Sequence, residues 1–381
     1  MLAPLDAWTQ QGGESVASTD LGPIKGRLKE TLRELTALDG VAGQEMAVVR
    51  WLRERFAPLA DEVTVDRMGN VIATKRGGAG PHLLISAHSD EIGGLVTAIE
   101  ADGKIRFAKN GGVIETLLVA RKVRVGDVPG IVGVKAGHLQ RPDEQRTVPP
   151  IRDLYIDVGY DTAAAVAALG IHAGTPVTYD APLSELTNGD RVYGKAVDNR
   201  ISCAILLQLL ERLRGTTLDG TLTCAVAVQE EVGLRGAQVL AYRLNPDYII
   251  VMDTMPSGDT PEMRLAQDAN VKIGAGPVIR LMAGGGGGGG HHMPPQMVRL
   301  MLDTAEAAGI PVQPVVLAGA NTDAATMHLV REGIPTGVIN LPRRYSHSPV
   351  EMLDLNDAAH ALLLAEAIAE GIGTHQLEFL D

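Results

Sequence analysis

The sequence predicts an α/β protein with a central mixed sheet flanked by helices and a small inserted β-rich domain. Strand-like and helix-like segments alternate from Asn188 onward, which is typical of α/β architecture. Between residues 94 and 187 the pattern is instead one of short strands and turns with little helix, which indicates a separate β-rich unit. Several apolar strands end in acidic residues or histidines, and sites in open α/β sheets form outside the carboxyl ends of the strands.

These patterns divide the chain into a main α/β domain, an insertion and a polar N-terminal extension. We expect the extension to cover residues 1–22, the main domain residues 23–93 and 188–381, and the insertion residues 94–187. Residues 24–56 predict two helices separated by the Asp39-Gly40 turn. Further strands are expected near 63–65, 71–75 and 83–87, and in the insertion near 104–108, 119–125, 130–134, 153–158 and 176–179, with one helix at 162–169.

One predicted strand leads directly into two adjacent carboxylates. The apolar residues 225–228 are followed by Gln229, Glu230 and Glu231, and a glycine then breaks the strand. Consecutive strand side chains point to opposite sides, so the two glutamates are expected to have different tasks. One can bind a metal while the other moves a proton, as hydrolysis at a metal centre requires. The alternative is a solvated pair of acids at the end of a strand.

Other segments share this construction. Apolar strands lead to His88, to Asp253 and, through a short turn, to His347, while Asp198 precedes the apolar stretch 201–210, which predicts a buried helix. The candidate ligands are therefore two histidines and three carboxylates, namely His88, Asp198, Glu231, Asp253 and His347.

The composition of this set indicates two metal ions. Nitrogen and oxygen ligands without thiolate suit Zn, Co or Mn. Five ligands are too many for one catalytic zinc, which usually takes three from the protein, but they suit two ions if one carboxylate bridges. Asp198 is the expected bridge, because it would lie centrally between the other ligands. Asp90, two residues after His88, is expected to accept the other imidazole N–H of that histidine.

Six motifs together resemble a known family. In order and spacing, they are similar to the tetrahedral aminopeptidases, which include glutamyl, leucyl and deblocking aminopeptidases and some members labelled endoglucanase. The resemblance extends from about Leu32 to about Leu364. The motifs are AHSDEIG, GKAVDNR, VQEEVGLRGA, the strand end at Asp253, NTDA at 321–324, and RYSHSP.

The resemblance implies a zinc-exopeptidase-like catalytic metallopeptidase domain that removes N-terminal residues from short peptides with a free N-terminus. Glu230 would then be the general base, and Asp90 would support a metal-binding histidine. The inserted domain would carry a dimer contact, and six dimers would form a hollow tetrahedral dodecamer. The implied ligands are His88, Asp198 and Asp253 for one ion, and Asp198, Glu231 and His347 for the other.

Composition excludes several other classes. The net charge is −12 and no basic run occurs, which argues against nucleic-acid partners. The chain begins without a signal-peptide pattern and has no stretch of 18 apolar residues, so no membrane association is expected. Cys203 and Cys224 both lie in apolar runs, which favours buried reduced thiols and a cytoplasmic protein.

The seven glycines Gly284 to Gly290 depart from the family that the chain resembles. Glycine-rich segments are flexible, so we expect a disordered surface loop before a helix that starts near Pro294. The neighbouring His291 and His292 are not counted as ligands.

Two other function classes stay open. A metal-dependent deacylase or amidase acting on small N-acyl compounds could use the same ligands, and a non-catalytic assembly or binding protein could keep the scaffold. A serine hydrolase is not expected, since no G-x-S-x-G motif surrounds Ser86 or Ser89. An N-acetylated peptide separates the first two, because a deacylase would cleave it and an aminopeptidase would not.

Overall fold

A large mixed sheet forms the main layer of the protein, in a computed structural model that describes residues 20–284, 289–375 and 377–380. Its strands are β1 (Glu62–Val65), β2 (Val71–Lys75), β3 (His82–His88), β10 (Ser184–Glu185), β11 (Arg191–Gly194), β12 (Thr221–Ala227), β13 (Tyr248–Pro256), β14 (Val278–Gly284), β15 (Gly290–His292), β16 (Gln313–Val316), β17 (Thr336–Arg344) and β18 (Glu351–Asp354). The strand order is β1-β2-β12-β3-β13-β17-β18-β11-β10, and β14 joins β15, β16 and β17.

The central strands of this sheet are parallel. β12 pairs with β3, β3 with β13, and β13 with β17, all in parallel register. Each is apolar and buried over nearly its whole length, as expected for strands covered by helices on both faces. Their carboxyl ends therefore meet at one edge of the sheet. The predicted ligands lie at this edge, although β13 continues to Pro256 and does not end at Asp253 as expected.

Helices cover the sheet. They are α1 (Gly22–Thr36), α2 (Met46–Phe56), α4 (Val197–Arg212), α5 (Arg235–Leu244), α6 (Leu265–Asp268), α7 (Pro295–Ala307), α8 (Ala324–Met327) and α9 (Leu355–Glu370). One further helix, α3 (Ala163–Ala167), lies in the chain segment between β3 and β10. The predicted buried helix is confirmed as α4, which is buried on all sides from residue 197 to residue 210 and packs on β3, β13, α1 and α9. Among the described helices, none combines the length and apolarity needed to cross a membrane.

A small closed barrel forms from the chain between β3 and β10. Its strands are β4 (Gly93–Ile99), β5 (Ile105–Asn110), β6 (Lys122–Val125), β7 (Val128–Val132), β8 (Ile156–Asp157) and β9 (Pro176–Tyr179), in the order β4-β5-β8-β7-β6-β9. The barrel has its own apolar core, separate from that of the sheet. The predicted fold class, an α/β sheet with a small β-rich domain, is confirmed, while the exact limits of 94–187 stay a prediction.

Some local expectations differ from the structure. The pattern predicts no strand at β4, because its opening Gly93-Gly94 weakens strand propensity. The strand forms because β5 and β9 pair with it on both sides, and a Cβ at Gly93 would lie 2.4 Å from the carbonyl oxygen of Val177.

The glycine run also differs. Gly284 and Gly290 pair across the β14–β15 hairpin, so the prediction of a surface loop is wrong at both ends, and residues 285–288 lie outside the described residues. His291 is fully buried in this hairpin.

Candidate metal centre

The structure gathers all seven predicted site residues at the carboxyl edge of the parallel strands. His88 ends β3, Asp90 follows it, and Asp253 lies within β13. Asp198 occupies the first turn of α4, where its own backbone angles are not helical. The remaining three lie in turns, Glu230 and Glu231 after β12 and His347 after β17.

Asp198 lies between two groups of potential ligands. Its Oδ1 is 3.3 Å from Nε2 of His88, and its Oδ2 is 3.5 Å from Nε2 of His347. His88 Nε2 is also 3.5 Å from Asp253 Oδ1, and His347 Nε2 is 3.6 Å from Glu231 Oε1. The two oxygens of one carboxylate thus face different histidines, each with a further carboxylate beside it.

Glu230 and Glu231 face different groups. Potential ligand atoms of Glu230, His88 and Asp253 lie within 4.8 Å of one another, and so do those of Glu231, Asp198 and His347. The reason differs from the one predicted, because β12 already ends at Ala227 and strand alternation does not reach the pair. The chain instead turns at this point, and Gln229, just before the pair, adopts the left-handed region at φ 58°.

Three side chains accept hydrogen bonds from four consecutive backbone N–H groups of this turn. Asn70 Oδ1 accepts from Val228 at 3.0 Å, and Glu45 Oε1 accepts from Gln229 at 3.0 Å. The two oxygens of Asp90 accept from the next two residues, Glu230 and Glu231, at 2.9 and 3.0 Å.

Asp90 also lies beside His88, with its Oδ1 3.4 Å from His88 Nδ1, but the expected hydrogen bond does not form, since this nitrogen has no hydrogen-bond partner among the described residues. The same buried carboxylate that holds the turn therefore also faces the histidine. Sequence reasoning missed Glu45 and Asn70, because neither has a local pattern that relates it to a turn more than 150 residues away.

A buried ion-pair network supports the other side of the centre. Arg343 pairs with both Asp198 and Glu351. Glu351 accepts the backbone N–H of Asp198 at 3.0 Å and that of His347 at 2.8 Å. Burial alone would raise the pKa of Asp198, but Arg343 and the two histidines outweigh it and hold that pKa well below its usual range. Sequence reasoning missed Arg343 and Glu351 as well, although both flank the RYSHSP motif.

The centre concentrates buried carboxyl groups, whose pKa values are shifted by burial and by one another. Burial, assisted by Asp198, raises the pKa of Glu231 to about 8, and burial raises that of Glu230 well above its usual range. Burial would lower the pKa of His88, but the carboxylates around it, Glu230 first, raise it well above normal. Asp198 Oδ1 is buried without a hydrogen-bond partner among the described residues. Closely spaced carboxylate and imidazole atoms of this kind fit divalent cations.

Asp323, in the NTDA motif, precedes α8 and is fully buried near the same centre. Neither of its carboxylate oxygens has a hydrogen-bond partner in the described part of the chain. That side chain therefore makes no hydrogen bond that would stabilise the turn. The N–H of Ala324 is instead accepted by Thr322.

Comparison with known proteins identifies the family of this chain. The family described as M42 glutamyl aminopeptidase matches residues 69–364. The glutamyl aminopeptidase of Lactococcus lactis subsp. cremoris is 32% identical, over 92% of this chain and 98% of its own.

Solved structures agree as well. An aminopeptidase from the archaeon Desulfurococcus kamchatkensis superposes with a TM-score of 0.86 at 34% identity, covering 91% of this chain and 95% of its own. The TET1 peptidase of Pyrococcus horikoshii, which can assemble into a tetrahedron or a large octahedral shell, has a TM-score of 0.80 at 31% identity, over 90% and 99% of the two chains. The chain belongs to the M42 glutamyl aminopeptidase family and is a hydrolase acting on peptide bonds.

Proposed function

We propose that this member of the M42 family is an aminopeptidase that uses two divalent metal ions to release N-terminal residues from short peptides. The observation that carries the proposal is the placement of Asp198, whose Oδ1 lies 3.3 Å from His88 and whose Oδ2 lies 3.5 Å from His347. A carboxylate between two histidine–carboxylate pairs suits a bridge between two ions.

The ligands divide around this bridge. His88, Asp253 and Asp198 would hold one ion, and Glu231, His347 and Asp198 the other. Zn, Co and Mn all accept this set of nitrogen and oxygen donors. When bound, two such ions lower the pKa of a water and stabilise negative charge on the carbonyl oxygen of the peptide.

Glu230 is the proposed general base. Its backbone N–H is held by Asp90, so the carboxylate is directed toward His88 and Asp253 from a fixed turn. From there it would take a proton from the attacking water and deliver it to the leaving amine of the peptide. Asp90 acts as a positioning residue, because it fixes the turn and lies beside His88 at the same time.

An assay on metal-reconstituted protein tests the reaction. We expect amino-acid anilides and short peptides to be hydrolysed, a chelator to abolish the activity, and an N-acetylated peptide to be inert. Cleavage of the N-acetylated peptide in preference to the free one would instead identify a deacylase.

Metal analysis tests the bridge. Asp198→Ala removes a ligand from both proposed ions, so the protein should lose metal from both positions. His347→Ala should lower the binding of mainly one ion. Equal metal content in the two variants would contradict the bridging role.

Assembly is proposed by similarity and by surface character. The Pyrococcus horikoshii relative forms closed shells, and in this chain exposed apolar side chains concentrate between β5 and β8. A contiguous exposed apolar patch marks protein contacts, and these side chains are the candidates for such a patch here. We infer a homo-oligomer with dimers as building blocks and a dodecamer as the complete particle. Light scattering of the metal-loaded protein checks this, and a monomer would contradict it. The apolar residues concerned are Ile114, Ile131, Val134, Leu139 and Val148.

A further inference from the structure

His347 is held from two sides. On the side of the sheet, its backbone N–H donates to Glu351, and its Nε2 faces Asp198 and Glu231 at 3.5 and 3.6 Å. On the other side, its Nδ1 lies 3.2 Å from the carbonyl oxygen of Gly112, within hydrogen-bond distance. One ring nitrogen thus faces the metal centre while the other can donate to a backbone carbonyl.

That carbonyl belongs to the barrel. Gly112 lies in the segment that connects β5 to β6, two strands of the closed barrel. Two neighbours anchor the segment. The side-chain amide of Asn110 donates to the carbonyl oxygen of Ala42 at 2.8 Å, and Val113 is buried in the apolar core of the barrel. The position of the Gly112 carbonyl is therefore fixed by the barrel on one side and by the main domain on the other.

The ring of His347 also explains why residue 112 is glycine. A Cβ at this position would lie 2.6 Å from Nδ1 and 2.8 Å from Cε1 of His347. Unlike Gly111, at φ +84°, Gly112 does not adopt the left-handed conformation. Its φ therefore does not require glycine, and the three nearest atoms that a Cβ would meet within 4 Å all belong to the imidazole.

We propose that the Gly112 carbonyl is a positioning group that orients His347 toward its metal ion, so that the barrel helps to build the metal centre. A hydrogen bond to the far ring nitrogen fixes both the tautomer and the direction of a metal-binding histidine, and loss of such a bond weakens metal affinity about 10–100-fold. Every proposed ligand lies outside the barrel, yet one of them depends on it. The inference rests on the ligand role proposed for His347.

Zinc binding to the metal-free protein tests this role without any activity measurement. Competition with a zinc-binding dye is compared for the wild type, Gly112→Ala and Gly137→Ala. Gly137 is a matched control in the β7–β8 connection, since it avoids the left-handed region and no atom lies within 4 Å of its Cβ position. We expect Gly112→Ala to lower the affinity for one of two zinc ions about 10–100-fold and Gly137→Ala to bind zinc like the wild type.

A double-mutant cycle shows whether the effect passes through the ring. With His347→Ala already present, Gly112→Ala should change zinc affinity no further, because the group that it displaces is absent. Full additivity of the two changes would overturn the inference. So would a Gly112→Ala protein that binds zinc like Gly137→Ala while His347→Ala loses one ion, although the proposed function would then stand. If His347→Ala itself loses no zinc, the proposed ligand set is at fault.

Folding is checked by circular dichroism on the metal-free variants. If Gly112→Ala fails to fold and the double variant with His347→Ala folds, the contact with the ring is supported, since removal of the ring restores the space. If both fail to fold, residue 112 excludes a side chain for another reason, and the inference is overturned.

Discussion

The division of labour between Glu230 and Glu231 gives the sharpest prediction. Glu230→Gln keeps the size of the side chain. It also keeps the hydrogen bond from the backbone N–H of residue 230 to Asp90, which is 2.9 Å long in the native protein. The change removes only the ability to take up a proton at that position. Because the proposed ligands of both ions stay in place, we expect two bound metal ions and a normal fold.

The expected loss is large and confined to catalysis. Removal of a general acid–base group typically lowers the rate about 10²–10⁴-fold, which corresponds to about 3–5 kcal/mol of transition-state stabilisation at 1.36 kcal/mol per factor of ten. Most of it should appear in kcat, because Glu230 does not hold the substrate in the proposed mechanism. The matched variant is Glu231→Gln, which alters a proposed ligand beside His347 and should lose about one equivalent of metal.

Two measurements on each purified variant decide the matter, namely metal content by atomic emission and steady-state kinetics on an amino-acid anilide. If Glu230→Gln loses a metal equivalent while Glu231→Gln keeps both, the two roles are exchanged. If Glu230→Gln keeps both ions and near-normal kcat, the residue is not the base.

Three further predictions concern the surroundings of the centre and the core. Glu45→Ala removes the acceptor of the Gln229 N–H, so the turn before the base should shift and kcat should fall about 10–100-fold. In the control Asp357→Ala, which also removes a buried acceptor of two backbone N–H groups, steady-state kinetics should show an unchanged kcat and calorimetry a lower Tm. Arg343→Met leaves two buried carboxylates without their cation and should lower the unfolding free energy of the metal-free protein by about 3–5 kcal/mol in urea titration; an unchanged midpoint would contradict that network. Burial and a neighbouring histidine lower the pKa of His291 to about 4 from 6.5. As the pH falls, the imidazole is therefore protonated in the unfolded chain before it is protonated in the folded chain, and about 3 kcal/mol of stability is lost between about pH 6.5 and pH 4. A His291→Gln protein with the same pH slope would contradict this last prediction.

Much of the architecture was accessible from local pattern. Near-continuous apolar strands predict a buried parallel sheet, and the residues that follow such strands must meet at one edge. The pattern therefore predicts that His88, Asp253 and His347 lie close together. In the structure Asp253 lies beside His88, and both histidines face Asp198. The prediction of strands was wrong where glycines weaken the local pattern. The pattern predicted no strand at Gly93–Ile99, and the ends of the glycine run proved to be paired strands.

Apolar periodicity and residue type are local properties of the chain, and they are enough to predict the fold class and the chemical character of the centre. The way the centre is held depends on contacts that exist only in the folded protein. The turn at Glu230 is fixed by Glu45 and Asp90, and the ring of His347 by the carbonyl of Gly112. These contacts join segments that lie 140 to 235 positions apart and use backbone N–H and C=O groups, which every residue except proline carries. Such groups leave no trace in residue type or spacing, so their partners emerge only when the chain has folded.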